Sequence, residues 1–265
     1  MVELEGILVN KIPYQDKHLI GNLLLRNGNK ISVMFYGGQG GGKRKVSSVL
    51  QVGYLFKVSF GRIKDSFEIM TSKEHVEKWY HKNISHNPMA FYLLCFYCEL
   101  TQSFAPQITQ KDDLDLQERT HEGTFRLLSN AIFRLDAEVI KPTYEPNFEL
   151  FIFLVKAMVE LGIFPRTETC AISGVEISDD DYVSLSIEQG GFVQYDHLSP
   201  EEQRLISTDE GRELRSEMLR VASSKYLDCP KKLNISKSTL NKLVNYICYH
   251  QHTTREHYKS LSLLL

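Results

Sequence analysis

Three places in the chain combine residue types and spacings that could do chemistry. The first is Gly37-Gly38-Gln39-Gly40-Gly41-Gly42 followed by Lys43-Arg44-Lys45. Gly37-x-x-x-x-Gly42-Lys43 matches most of a phosphate-binding P-loop, but Arg44 stands where a Ser or Thr would hold magnesium. Such a loop also needs a helix after it, because its phosphates rest on the helix N-terminus. Here Val46, Val49, Leu50, Val52, Tyr54, Phe56, Val58 and Phe60 follow, a β-rich run. Two other readings of the loop stay open: a basic loop between strands of a small barrel, used on a nucleic-acid backbone, and a solvated hairpin loop with incidental charge. The second place is Cys95-Phe-Tyr-Cys98. It has redox spacing, but it lies in a stretch dense in apolar residues, where free cysteine acts as a small hydrophobe. The third is His250, His252 and His257 with Glu256. His252 and Glu256 would share an i,i+4 helical face suited to acid–base work. No nucleophile or glycine-elbow motif accompanies them, so a solvated or capping role at a helix end is expected.

The elements that must position these groups can be read from periodicity. Glu3 to Lys11 reads as a first strand, Asn10 to Lys17 as a turn, and Leu19 to Leu25 as a second strand. Arg26-Asn27-Gly28-Asn29 suits a tight hairpin turn. Ile31 to Tyr36, Gly53 to Phe60 and Ser66 to Thr71 complete five strands, which fits a small closed barrel such as the OB-fold. The period changes from about Ser72. Asn87-Pro88 opens a helix. A second helix carries Phe125, Leu128, Ile132 and Leu135 on one face. A third starts at Pro146, with Gly162 as its C-cap. Residues 164–199 read as irregular, with the acidic run Asp179-Asp180-Asp181. Helices are then expected from Pro200, over about Asp209 to Ser223, and over Ser236 to Tyr249.

The 265 residues suffice for one to three domains, and 42% hydrophobic and 24% charged content is ordinary for a soluble protein. The net charge of −2 hides an asymmetry: residues 1–80 carry 12 Lys+Arg against 7 Asp+Glu, a net of +5, and the remainder carries 19 against 26, a net of −7. A polyanion partner therefore suits the first third only. The first residues lack a basic n-region, the apolar runs are too short to span a bilayer, and five cysteines with no secretory signal suggest a reducing cytoplasm.

The order of several weak motifs resembles the RecO family of bacterial recombination-repair mediators. They are Glu5-Gly6-Ile7-Leu8, Gly28-Asn29-Lys30-Ile31-Ser32, the basic loop with Leu50-Gln51, Phe125-Arg126-Leu127-Leu128, Phe151 to Gly162, Cys170 to Gly174, Gly190-Gly191 and Lys259-Ser260. The resemblance implies an α+β chain: an OB-fold β-barrel over 1–80, and a helical domain over 81–265 with a zinc-ribbon-like insert at about 164–199. It implies no catalytic residue and no cofactor. It also implies binding of single- and double-stranded DNA, annealing of complementary strands, and action with RecR to load RecA on DNA coated by single-stranded-DNA-binding protein, whose acidic C-terminal tail docks on RecO. The zinc ribbon is degenerate here, since its ligand positions read Cys170, Ser173, Gln194 and His197, and a structural zinc needs four good ligands.

Cations with nearby aromatics serve backbone neutralisation and base stacking. The candidates for DNA binding are Lys43, Arg44 and Lys45, then Arg26, Lys30, Lys57, Arg62 and Lys64, with Tyr36 and Tyr54 as stacking platforms. Two alternatives remain open. One is an RNA-binding barrel protein with a helical scaffold; the other is an enzyme, either a P-loop phosphohydrolase or a hydrolase using the late histidines.

Overall fold

The structure is a computed structural model that describes residues 2–37, 50–115, 122–205, 208–229 and 234–265. Two compact units emerge: Met1–Tyr144 with Tyr258–Leu264, and Glu145–His257.

The first unit begins with strands β1 (Val2–Tyr14), β2 (His18–Leu25), β3 (Lys30–Phe35), β4 (Leu55–Phe60) and β5 (Met70–Trp79). They close into a barrel of order β1-β2-β3-β5-β4. The expected five-stranded barrel is therefore present. Its period-2 pattern sends Leu8, Leu23, Ile31, Val33, Phe35, Phe56 and Val58 into one core. Between Leu8 and Asn10 the β1–β2 register slips by one residue, a bulge that bends the long first strand. Gly28, at φ +83, makes the β2–β3 turn, where its N–H donates to Leu25 O at 2.9 Å.

Two strand expectations need correction. The segment expected as a turn from Asn10 stays in β1 to Tyr14, because Ile12 and Pro13 pair with Ile20 and Leu19 of β2. The fifth strand is not Ser66 to Thr71 but Met70–Trp79. Its far half alternates weakly, since Lys73, Glu74 and Lys78 face water, so the period fades at Ser72 while backbone pairing with β4 continues. Residues 66–69 form a loop instead.

Helices α1 (Pro88–Phe104), α2 (Asp112–Asp115) and α3 (Glu122–Glu138) complete this unit. Asn87 caps α1 by accepting from the Ala90 N–H at 3.1 Å. Asp136 of α3 accepts the N–H groups of Lys82, Asn83 and Ile84, fixing the exit from the barrel. The chain end returns to α1: Ser260 Oγ donates to Glu99 Oε2 at 2.6 Å, and Tyr258 OH meets Ser103 Oγ at 3.3 Å.

The second unit is built from α4 (Pro146–Glu160), β6 (Val183–Ser186), β7 (Gly191–Gln194), α5 (Pro200–Leu205), α6 (Thr208–Ser223) and α7 (Lys237–His250). Pro146 occupies the first turn of α4, where its missing N–H costs nothing. The insert is not irregular throughout, for β6 and β7 form an antiparallel hairpin. Each strand has only four residues, too few for a period to show. No helix among the described residues is long and apolar enough to cross a membrane.

Candidate nucleic-acid interface

Lys43, Arg44 and Lys45 lie outside the described residues, but the chain is anchored on either side of residues 38–49. Gly37, at φ +71, turns the chain out of β3, and its N–H donates to His18 Nδ1 at 3.4 Å. On the return, Lys11 Nζ donates to Leu50 O at 2.8 Å and to Gln51 Oε1 at 3.3 Å. Leu50 is itself buried in the barrel core. Tyr36 stands 59% exposed at the loop's start, its ring edge-on to His18 with centroids 4.8 Å apart. The returning chain then enters β4. A P-loop would instead set its phosphates on a helix N-terminus.

The β4–β5 connection forms a groove of about 580 Å³. Arg62, Lys64 and Lys73 are exposed along it, Phe67 and Ile69 supply apolar surface, and Glu68 is the acid in its lining. A Cβ on Gly61 would lie 2.7 Å from Lys73 Cε, the movable end of an exposed side chain, so Lys73 lies close against the loop's first turn. The extended segment after α1 holds this loop. Phe67 N–H donates to Thr109 O at 2.8 Å, and Lys111 N–H to Asp65 O at 2.9 Å. The same segment exchanges two bonds with Lys30 of β3, through Pro106 O and the Ile108 N–H. Because Val33 pairs with Met70 and Met34 with Thr71 in parallel, the connection before Met70 runs back toward the Lys30 end of β3, while Tyr36 lies beyond the other end.

Other sequence candidates are engaged by the protein itself. Arg26 Nε pairs with Glu5 at 2.7 Å, and its guanidinium lies over the Phe125 ring at 5.3 Å. Lys57 pairs with Glu3 at 2.6 Å, a bond that raises its pKa. Lys30 Nζ donates to Gln102 O at 2.6 Å, and burial lowers its pKa. Tyr54 is half-buried among Phe56, Tyr80 and His81. Burial raises its hydroxyl's pKa. So Arg62 and Lys64 share a groove, whereas Arg26, Lys30 and Lys57 each hold an acceptor of the fold. Lys73, Phe67 and Lys11 were not singled out by the sequence. Lys73 and Phe67 look like any strand or loop residue until the pairing of β3 with β5 is known, and Lys11 until the returning chain at Leu50 and Gln51 is.

In the second unit the positions expected to be zinc-ribbon ligands do not fit zinc. Cys170 is buried, while Ser173 and His197 are exposed. Among the described residues no three His, Cys, Asp or Glu side chains gather as a metal site. Burial alone would raise the Cys170 thiol. Hydrogen bonds from the Ser173 hydroxyl and from the backbone of Ser173, Gln194 and Ile172 outweigh it and hold the pKa at about 7. The other cysteine pair behaves oppositely, since burial pushes Cys95 up to about 11 and Cys98 well above its usual value. Neither is poised as a thiolate nucleophile.

The shared helical face expected for His252 and Glu256 does not form. Helix α7 stops at His250, His252 takes φ +52, and Arg255–His257 is a separate short turn. The stop is a Schellman motif in which His252 N–H donates to Tyr249 O and Thr253 N–H to Cys248 O.

No curated protein matches the chain. Residues 113–261 match the family model described as "Recombination protein O C terminal". That match spans more than half of the 265 residues, lies downstream of a five-stranded barrel, and establishes that the chain belongs to the RecO family.

Proposed function

We propose that the protein is a non-catalytic mediator of recombinational DNA repair in the bacterial cytoplasm, associated with the nucleoid. Its barrel binds single- and double-stranded DNA and anneals complementary strands. With RecR it loads RecA on DNA coated by single-stranded-DNA-binding protein, whose acidic tail docks on the helical domain. The observation that carries the reading is the β4–β5 groove, where Arg62, Lys64 and Lys73 project over the apolar surface of Phe67 and Ile69. Cations beside flat apolar surface suit a phosphate backbone with its bases stacked alongside, and the loop between strands 4 and 5 is a habitual contact of OB-type barrels. Lys43, Arg44 and Lys45 are assigned to the same backbone.

The test is single-stranded DNA affinity at several salt concentrations for the native chain and for Arg62→Ala/Lys64→Ala/Lys73→Ala. Affinity should fall for every sequence alike, because phosphate contacts position without specifying. The salt slope should flatten by about 0.7 per lost contact, hence about 2 for three. An unchanged slope with unchanged affinity would remove the groove from the DNA path. Tighter binding of an RNA of the same length would transfer the site to RNA, since the 2′-hydroxyl is what separates the two. Capture by an immobilised acidic-tail peptide tests the partner.

We also infer that residues 164–199 are a zinc ribbon without its metal. The Cys170–Gly174 turn supports this, because its N–H donors converge on one sulfur and Gly174 takes φ +71. The neighbouring Gln194 N–H reaches the same Cys170 Sγ at 3.5 Å.

A further inference from the structure

A ribbon without metal needs another cross-link, because its two turns bury little of their own. Arg215 of α6 supplies one. Its side chain is almost wholly buried. Nε donates to Thr167 O at 2.6 Å, Nη2 to Ile177 O at 3.1 Å and Nη1 to Asp179 Oδ1 at 3.2 Å. Thr167 and Ile177 flank the Cys170–Gly174 turn, and their strands are joined by Ile177 N–H to Glu168 O at 2.8 Å. One guanidinium therefore grips both legs of the turn at its base. The Asp179 side chain is fully in solvent, so the two carbonyls are the acceptors that matter.

The second turn is tied by a former ligand position. Gln194 Nε2 donates to Asp181 Oδ2 at 3.0 Å, and the same oxygen accepts the Ser178 N–H at 2.8 Å. Two members of the acidic run thus have structural partners. We propose that Arg215, with Asp181 and Gln194, does in this chain the cross-linking that a zinc ion and four ligands would do, an inference that rests on the metal-free ribbon reading above. A planar fork suits the task, because it satisfies two fixed carbonyls at once, which an ammonium on a flexible stem does not.

The experiment is hydrogen exchange on the full chain, with zinc content measured alongside. Arg215→Lys keeps the charge and loses the fork. Amides over 167–181 should exchange about tenfold faster or more, as expected for losing hydrogen bonds to a charged donor, while α7 keeps its protection. Treating the native chain with a chelator should change nothing. Adding Ser173→Cys, Gln194→Cys and His197→Cys to Arg215→Lys should create a four-thiolate site that takes one zinc and slows the 167–181 amides again. Unchanged exchange in Arg215→Lys would overturn the proposal while leaving the ribbon reading intact. Zinc bound to the four-cysteine chain without restored protection would also overturn it, whereas no zinc bound by that chain would overturn the ribbon reading instead. One zinc per native chain, lost in Cys170→Ala, would instead overturn the ribbon reading itself.

Discussion

The barrel and the insert at 164–199 reach order by different routes. Each barrel strand hides alternate side chains in one continuous core that runs from Leu4 through Phe56 to Ile108 and Leu114. The insert hides fewer apolar groups, among them Ile177, Val183, Leu185 and Phe192, and relies on named polar atoms, chiefly the Arg215 fork and the donors around Cys170. Stability spread over many contacts degrades gradually. Stability resting on a few atoms fails at one substitution and is untouched by most others.

Two substitutions sharpen that contrast at its largest scale. Phe56→Ala should cost the barrel about 3–5 kcal/mol, as for other buried aromatic truncations. Trp79, the one tryptophan, lies in β5 and reports this unfolding by fluorescence. In the second unit the sensitive point is a backbone approach: a Cβ on Gly211 of α6 would lie 1.7 Å from Val183 O of β6. Gly211→Ala should cost about 3 kcal/mol, the upper end of overpacking, read as faster exchange over β6 and β7. The barrel's counterpart is Gly21, whose added Cβ would meet Leu8 Cδ1 at 2.6 Å. Leu8 and Phe35, whose Cε2 it would meet at 3.0 Å, are buried core side chains, but they can shift where a backbone carbonyl cannot, so Gly21→Ala should cost less, about 1–2 kcal/mol. Equal costs at the two glycines would break the contrast.

The same difference decides what could be read from the sequence. The alternation of Ile31, Val33 and Phe35 and the Asn-Gly turn announce strands because period and turn chemistry are local. Helix starts at Pro88 and Pro146 are legible for the same reason. The far half of β5 escapes notice because water covers its outward side chains, leaving Lys73 and Lys78 to mask the period. The hairpin of β6 and β7 escapes because four residues carry no period. Arg215 reads as an ordinary helix-surface arginine until the carbonyls of Thr167 and Ile177 are seen against it, and Gly211 as a flaw in a helix until β6 is. Among the cations the chain spells Lys57 and Lys64 alike. Only the strand pairing that sets Glu3 within 2.6 Å of Lys57 separates a neutralised lysine from one lining a groove.

Alkaline titration should move the two units in opposite directions. Cys170 is held at about 7 against an ordinary value of 9. The folded state prefers its thiolate, so this contribution is fully present above pH 9 and is lost as pH falls through 7. The second unit should therefore gain stability from pH 7 to 9, by roughly 1 kcal/mol per pH unit. Cys95, pushed up to about 11, prefers its thiol. Its contribution is present below pH 9 and is lost as pH rises through 11, so the first unit should weaken over that window. Denaturant midpoints read separately, by Trp79 fluorescence and by exchange over 167–181, would show the two trends. Cys170→Ala should abolish the first alone, and parallel trends in both units would contradict the assignment.

The smallest effect concerns two helix ends in the second unit that share one backbone device. Helix α4 stops with Gly162 at φ +68, where Gly162 N–H donates to Val159 O and Ile163 N–H to Met158 O. Helix α7 stops with the same pair of bonds, but the left-handed position holds His252 at φ +52. A side chain in that region meets the strain that glycine escapes, and His252 is exposed, with no packing to offset it. His252→Gly should therefore stabilise the second unit by about 0.5–1 kcal/mol, the relief of strain exceeding the added freedom of the unfolded chain. Gly162→Ala should cost about 1 kcal/mol at the matching position. Thermal midpoints of both variants measure the pair. If His252→Gly lowers the midpoint, the histidine is held by more than its cap, and that helix end belongs with the insert, where single side chains decide stability.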